Sequence, residues 1–194
     1  MILYGGGGHA KVVLDCLLTS DIELKLVFDN QILTGFFEQY YMGKYNSEIL
    51  PHHPLIISIG ENKIRKKIST EVSHRFGMAV HPSANISKFS TVGAGSVVFH
   101  NAVVQSSTTI GKHCIVNTAV VVEHDCVMDD FSHLATHATL CGGVKIGEGT
   151  LIGAGATVLP NVKIGKWCII GAGSVVTNDV GDFSIMAGVP ARLL

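Results

Sequence analysis

Apolar residues recur along the second half of the chain with a period of six. Ile86, Val92, Val98, Val104, Ile110, Val116, Val122, Met128, Leu134, Leu140, Ile146, Ile152, Val158, Ile164, Ile170 and Val176 stand six apart without an insertion, and all sixteen are apolar. With 47% of the chain hydrophobic, sixteen successes in one phase have a chance probability on the order of 10⁻⁵. The residue four places after each is small or β-branched, from Ser90 and Ser96 through Cys114, Cys126 and Cys168 to Val180, which marks a second inward position. Glycine often follows the aliphatic residue, as at Gly93, Gly111, Gly147, Gly153, Gly165 and Gly171, where a corner between short strands favours a permissive backbone. The pattern predicts a prism of stacked coils around a column of Ile, Val and Leu. Three hexads to a coil give about five coils at roughly 4.8 Å per layer.

The first eighty residues follow a different rhythm. "MILYGGGGHAKVVLDCLL" predicts a short strand, a glycine turn and an amphipathic helix, in which Gly5, Gly7 and Ala10 satisfy G-x-G-x-x-A. Such a turn lets backbone approach a phosphate, and the helix start presents unpaired N–H groups to it. "LKLVFDN" ends a second strand on Asp29, placed to bind a ribose hydroxyl. "PLIISIG" gives a third strand and "ENKIRKKISTEVSHRF" a charged helix; the aromatic-rich stretch between Gln31 and His53 reads as a connection with a short strand. Residues 1–80 thus form an α/β half of a dinucleotide fold, better suited to a mononucleotide than to NAD, and residues 81–194 form the prism.

Composition narrows the function classes. Lys plus Arg number 14 against 15 Asp plus Glu, so no overall field draws the chain to nucleic acid or to a lipid surface. Polar residues break every apolar run before membrane-spanning length, and the start lacks the basic and long apolar regions of a signal peptide. These features predict a soluble, cytoplasmic protein without membrane contact. Five cysteines without a CxxC pair suggest neither a disulfide framework nor a metal site. Cys114, Cys126 and Cys168 fall on the small inward position, where a thiol serves as a compact hydrophobe.

The hexad phase also assigns the polar run in "VVEHDCV". Val122 and Cys126 face inward, which leaves Glu123, His124 and Asp125 at an outer corner with His124 pointing out. A neutral imidazole whose tautomer is held by the neighbouring Asp125 is suited to act as a general base. His113, His137 and His100 take outward positions without an adjacent carboxylate, and His81 reads as a structural contact at the domain junction. Outward apolar residues, among them Val98, Val103 and Val121, predict that one face of the prism is covered.

The units "IGEGTLIGAGATV" and "IGKWCIIGAGSVV" resemble the hexapeptide-repeat acyltransferases, whose repeats wind a left-handed parallel β-helix. With "YGGGGHAKVV", "ISIGENKIRKKI", "NTAVVVEHDC", "DDFSHLA" and "MAGVPARLL", the whole chain resembles the subfamily of UDP-4-amino-sugar N-acetyltransferases and sialic acid O-acetyltransferases. That resemblance implies acetyl-CoA as co-substrate, no metal, and a homotrimer with its active site between subunits. It implies His124 as base supported by Asp125, and an oxyanion held by backbone N–H near Gly142 or Gly143. His133 is expected near the thioester, the backbone at Gly142, Ala154 and Ala172 along the pantetheine, and Arg192 at a CoA phosphate. Gly7, Gly8, His9, Asp29, Asn30 and Gly60 are expected to hold the nucleotide sugar. The implied activity is N-acetylation of a UDP-linked 4-amino-4,6-dideoxy sugar. A GDP-perosamine-type amine, sialic acid O-acetylation, and a non-catalytic nucleotide-sugar scaffold are the alternatives.

Overall fold

The computed structural model describes residues 1–194. Four parallel strands open the chain: β1 (Ile2–Tyr4), β2 (Leu26–Phe28), β3 (Tyr41–Gly43) and β4 (Leu55–Ile57), in the order β3-β2-β1-β4. Helix α1 (Gly8–Thr19) joins β1 to β2, and α2 (Asn62–Glu71) follows β4. All three residues of β1, β2 and β4 are buried, as expected of parallel strands covered on both sides. Before β3, residues Gly35–Tyr40 make two turns of 3₁₀ helix, and the aromatic stretch contributes the expected short strand, which lies at the edge of the sheet. Strand order reverses at β1, which opens a crevice between the loops that follow β1 and β4.

The rest of the chain is a parallel β-helix of two-residue rungs on three faces. Face one carries Ala79–Val80, Val97–Val98, Ile115–Val116, His133–Leu134, Leu151–Ile152 and Ile169–Ile170. Face two runs from Asn85–Ile86 to Val175–Val176, and face three from Thr91–Val92 to Lys163–Ile164. Every coil takes eighteen residues, the offset of Ile115 from His133 in register. The first rung, Ala79–Val80, lies one hexad before Ile86, the first aliphatic position counted in the repeat. The last rung, Ile185–Gly188, is closed by an antiparallel strand, Ala191–Leu193.

The inward aliphatic and small positions build one core of 25 buried residues, including Cys114, Cys126 and Cys168. Val98 belongs to that column and is fully buried, which corrects its expected outward place. Its neighbour Val97 faces out and is also buried, because the α/β domain covers it: Val97, Phe99 and Ile115 share a cluster with Leu3, Val13 and Leu17. The repeated glycines also have a different reason from the one expected. A Cβ at Gly147 would lie 2.6 Å from the Gly165 carbonyl carbon, and Gly93 meets Gly111 in the same way. Close approach of successive coils, rather than a left-handed backbone, excludes a side chain there.

Helix α2 welds the two parts together. Glu61 caps it by accepting from the N–H groups of Lys63 and Ile64. Arg65, 1% exposed, donates from Nε to the His113 carbonyl at 2.8 Å and from Nη2 to the Phe131 carbonyl at 2.9 Å, both on the edge between faces three and one. Asn62 Nδ2 reaches the Gly149 carbonyl on the same edge at 3.0 Å. His113 is therefore outward from the prism yet buried, wedged between Phe76 and Phe131.

Candidate active site

His124 lies on the edge between faces two and three. Its side chain is 63% exposed, and Nδ1 lies 2.7 Å from Asp125 Oδ2. With Asp125 accepting from Nδ1–H, the lone pair is left on Nε2, where a base needs it. The short reach depends on local backbone: Asp125 has φ +61, a left-handed conformation that aspartate tolerates better than most residues. One coil further on, Gly142 lies under the ring, and a Cβ there would stand 2.8 Å from both Cε1 and Nε2 of His124. The Gly143 N–H is already donated to the His124 carbonyl at 2.9 Å, whereas the Gly142 N–H has no acceptor within the chain. At the equivalent corners of Lys112 and Lys166, that N–H is taken by Asp130 and Asp182. At Gly142 it stays open beside the imidazole.

Ala154 and Ala172 stack on a different edge, between faces one and two. Here the surface is almost bare backbone, because Gly155 and Gly173 have nothing within 4 Å of a notional Cβ. Arg192 joins them through the terminal hairpin: Gly171 lies against Ala187, which pairs with Arg192. Arg192 is exposed, with Nη1 donating to the Ala191 carbonyl. Such a strip of small residues beside an exposed guanidinium fits an extended, phosphate-bearing chain such as CoA.

His133 belongs to neither edge. It projects from face one into the crevice under the α/β domain, with Asn117 Nδ2 3.4 Å from its Nε2, and it lines a cavity of about 240 Å³ with Gly60, Asn62 and Leu151. Burial, with the Arg65 charge adding to it, pushes its pKa down to about 3. Within one chain His133 therefore groups with Gly60 and the residues of the glycine turn.

Those residues line a second cavity of about 340 Å³, formed by Gly5, Gly7, Gly8, His9, Asp29 and Gly60 together with Gln31, Ser58 and Ile59. Asn30 does not line it. The N–H groups of Gly7, Gly8 and His9 have no acceptor within the chain and face it as a helix start. Asp29 holds the turn from beneath, accepting from the Gly6 N–H at 2.8 Å and the Gln31 N–H at 2.9 Å. His9 packs edge-on against Phe99; burial, then the Arg65 charge, lowers its pKa to about 4, and its buried Nε2 has no partner. Sequence reasoning missed Gln31, Ser58 and Arg65, none of which sits in a motif that names its role. His100, without a carboxylate beside it in sequence, finds Asp15 at 2.9 Å across the domain junction and stacks on His81. No cluster of His, Cys, Asp or Glu side chains is arranged to hold a metal ion, and no helix is long and apolar enough to cross a membrane.

Comparison with known proteins accounts for both parts. The PglD N-terminal domain family matches residues 1–72, and the bacterial transferase hexapeptide family matches residues 143–178. A mutant of perosamine N-acetyltransferase from Caulobacter crescentus, solved with CoA and GDP-perosamine, is 32% identical. The match covers 100% of this chain and 95% of that one, with a TM-score of 0.95. The acetyltransferase domain of PglB from Neisseria gonorrhoeae, solved with acetyl coenzyme A, is also 32% identical over 100% of this chain and 98% of that one, at a TM-score of 0.94. UDP-N-acetylbacillosamine N-acetyltransferase of Bacillus subtilis is 37% identical over 108 residues, 50% of this chain and 49% of the relative. The chain spans about half the length, or less, of the curated relatives it matches.

Proposed function

The chain belongs to the hexapeptide-repeat acetyltransferases that carry a PglD-type N-terminal domain, and from that membership we propose that it moves the acetyl group of acetyl-CoA onto the amine of a nucleotide-linked 4-amino-4,6-dideoxy sugar. The observation that carries the reading is the pairing at one exposed edge of a carboxylate-held imidazole, His124, with a free N–H at Gly142. Nε2 of His124 takes a proton from the amine as its nitrogen attacks the thioester carbonyl. The developing oxyanion is held by the Gly142 N–H. Collapse of the tetrahedral intermediate forms the amide and breaks the C–S bond, and the departing thiolate takes back the proton from His124. No step calls for a metal.

A complete site in this reading needs more than one copy of the chain. The edge of His124 and Gly142 and the edge of Ala154 and Ala172 flank face two, whose outward residues Val103, Val121, Thr139, Thr157 and Val175 are half-buried and mostly apolar. The α/β domain covers the start of face one, at Ala79, Val97 and Ile115, while Ile169 and Ile185 further along it stay exposed, and face three shows Thr91, Thr109, Lys145 and Lys163 to solvent. Face two, flanked by both edges, is the surface this reading uses for self-association, and three-fold packing about it would bring His124 of one copy to the CoA strip of the next. The crevice of Gly7, Gly8, His9, Asp29 and Gly60 supplies the nucleotide end.

A UDP-linked, bacillosamine-type amine is the first reading for the acceptor, supported by the Bacillus relative. A GDP-linked perosamine-type amine is the second, favoured by the full-length likeness to the Caulobacter complex. Thiol release from acetyl-CoA, measured across UDP-, GDP- and dTDP-linked amino sugars, tests both. One acceptor is expected to stand at least tenfold above the rest in kcat/KM, and His124→Ala to lower its turnover by about 10²- to 10⁴-fold. No release with any acceptor, or an alanine variant as fast as wild type, would remove the proposed chemistry.

A further inference from the structure

Arg65 is almost fully buried, 1% exposed, and makes five hydrogen bonds. All go to neutral acceptors: the carbonyls of Ile59 at 3.0 Å, Gly60 at 3.1 Å, His113 at 2.8 Å and Phe131 at 2.9 Å, and Asn62 Oδ1 at 2.8 Å. No carboxylate forms an ion pair with it. Glu61, next in reach, is spent on the N–H groups of Lys63 and Ile64 at the start of α2. A buried cation without a counter-ion is costly, and here only neutral acceptors offset the loss of water.

The fork of donors fixes where that charge acts. Ile59 and Gly60, whose carbonyls it holds, form the wall of the cavity that also contains Gly7, Gly8, His9 and Asp29. Gly60 borders the neighbouring cavity of His133 as well. The guanidinium thus sits one residue behind the lining; in front of it the glycine-turn cavity offers backbone N–H groups, His9, Gln31 and Ser58, and the neighbouring cavity carries Lys63. His9 and His133 both feel its field, which adds to the burial that keeps them uncharged. The one carboxylate in the wall, Asp29, already accepts from two backbone N–H groups.

We propose that Arg65 is a positioning residue for the nucleotide of the acceptor: from behind the Gly60 turn it supplies the unneutralised charge that the diphosphate of the bound nucleotide sugar completes, while its fork locks that turn to the prism. This rests on the reading of the crevice as a nucleotide-sugar site. It implies that recognition of the diphosphate is electrostatic at one remove, and that of the nucleoside is not.

Calorimetry and ligand-observed NMR with UDP, GDP and dTDP and with the matching nucleosides test it on the full-length chain. Wild type is expected to bind one nucleoside diphosphate well above its nucleoside. Arg65→Gln is expected to weaken the diphosphate about tenfold and to leave the nucleoside within twofold, whereas Arg65→Lys keeps most of the preference. A merely structural role would weaken both ligands together, and equal losses in Arg65→Gln would overturn the proposal while leaving the crevice assignment intact. Should Arg65→Gln not fold, Arg65→Lys decides: it keeps the charge without the fork, so a preference for the diphosphate over the nucleoside close to that of wild type is expected, and loss of that preference with the nucleoside still bound would overturn the proposal. If no nucleoside diphosphate binds wild type, the crevice assignment fails as well.

Discussion

Gly142→Ala separates the chemistry of the His124 edge from its folding. The added Cβ would lie 2.8 Å from both Cε1 and Nε2 of the ring, whereas carbon atoms in comfortable contact stand about 3.5–4.0 Å apart. The imidazole must therefore retreat by about 1 Å. It is free to do so, because its side chain is 63% exposed. Gly142 is not among the glycines with positive φ, so alanine fits the backbone. Stability should stay within about 0.5 kcal/mol of wild type. Catalysis should not, since a misplacement of about 1 Å at a reacting group costs up to about 10²-fold. Thiol-release kinetics are expected to show kcat down by about ten- to a hundredfold, with KM for the nucleotide sugar unchanged and the melting curve intact. In a His124→Ala background the same change should cost nothing further. A stable Gly142→Ala protein with wild-type kcat would refute the reasoning, and a further loss in the double variant would show that alanine acts through some other group.

Asp125→Asn suits the left-handed backbone at that site but presents an amide to Nδ1 and favours the tautomer with its proton on Nε2; kcat should fall by about 10²-fold or more while the melting curve stays put. Acid should loosen the domain junction. The folded pKa values of His9 and His113, about 4, and of His133, about 3, lie below the ordinary 6.5, so the unfolded chain takes up protons first. Stability should be full above pH 6.5 and fall by up to about 4 kcal/mol per pH unit as pH drops from there toward 4. Thermal melts against pH will show this, and His113→Asn should remove about a third of the slope; a flat profile would contradict it. Thr139→Lys puts a charge in the middle of face two and should turn a particle of three times 20.6 kDa into an inactive monomer with an unchanged circular dichroism spectrum, as read by light scattering and thiol release.

The prism was legible because its period is a property of single residues. Each inward position asks for an aliphatic or a small side chain, and sixteen such requests in phase leave no doubt. His124 was legible for the same reason, since the phase that buries Val122 and Cys126 turns the residues between them outward. The rung at Ala79–Val80 keeps the same phase, with Val80 six residues before Ile86 and Ala84 four after it, but it lies on the α/β side of a boundary drawn at residue 81, and its outward Ala79 packs into the α/β cluster. Arg65 was invisible for a deeper reason: it binds the carbonyls of His113 and Phe131, 48 and 66 residues away, and a carbonyl leaves no trace in residue identity. His113 shows the same limit, as hexad phase gives a direction from the prism axis but not what lies there. The glycines of the corners were rightly located and wrongly explained, because distance between coils is a tertiary quantity.

From Ile86 to Val176 the count of six is never broken, and this sets the grain at which such a molecule can lengthen or shorten. Loss of six residues would turn everything downstream by a third of a revolution and carry the bare strip of Ala154 and Ala172 to the wrong side. Loss of eighteen would shorten the stack by one storey and leave each side chain facing as before. Excising residues 155–172, which lies beyond both His124 and Gly142, should therefore yield a folded, shorter protein, whereas excising 155–160 should scramble it. Inheritance in this architecture works like a ratchet with a three-tooth pitch.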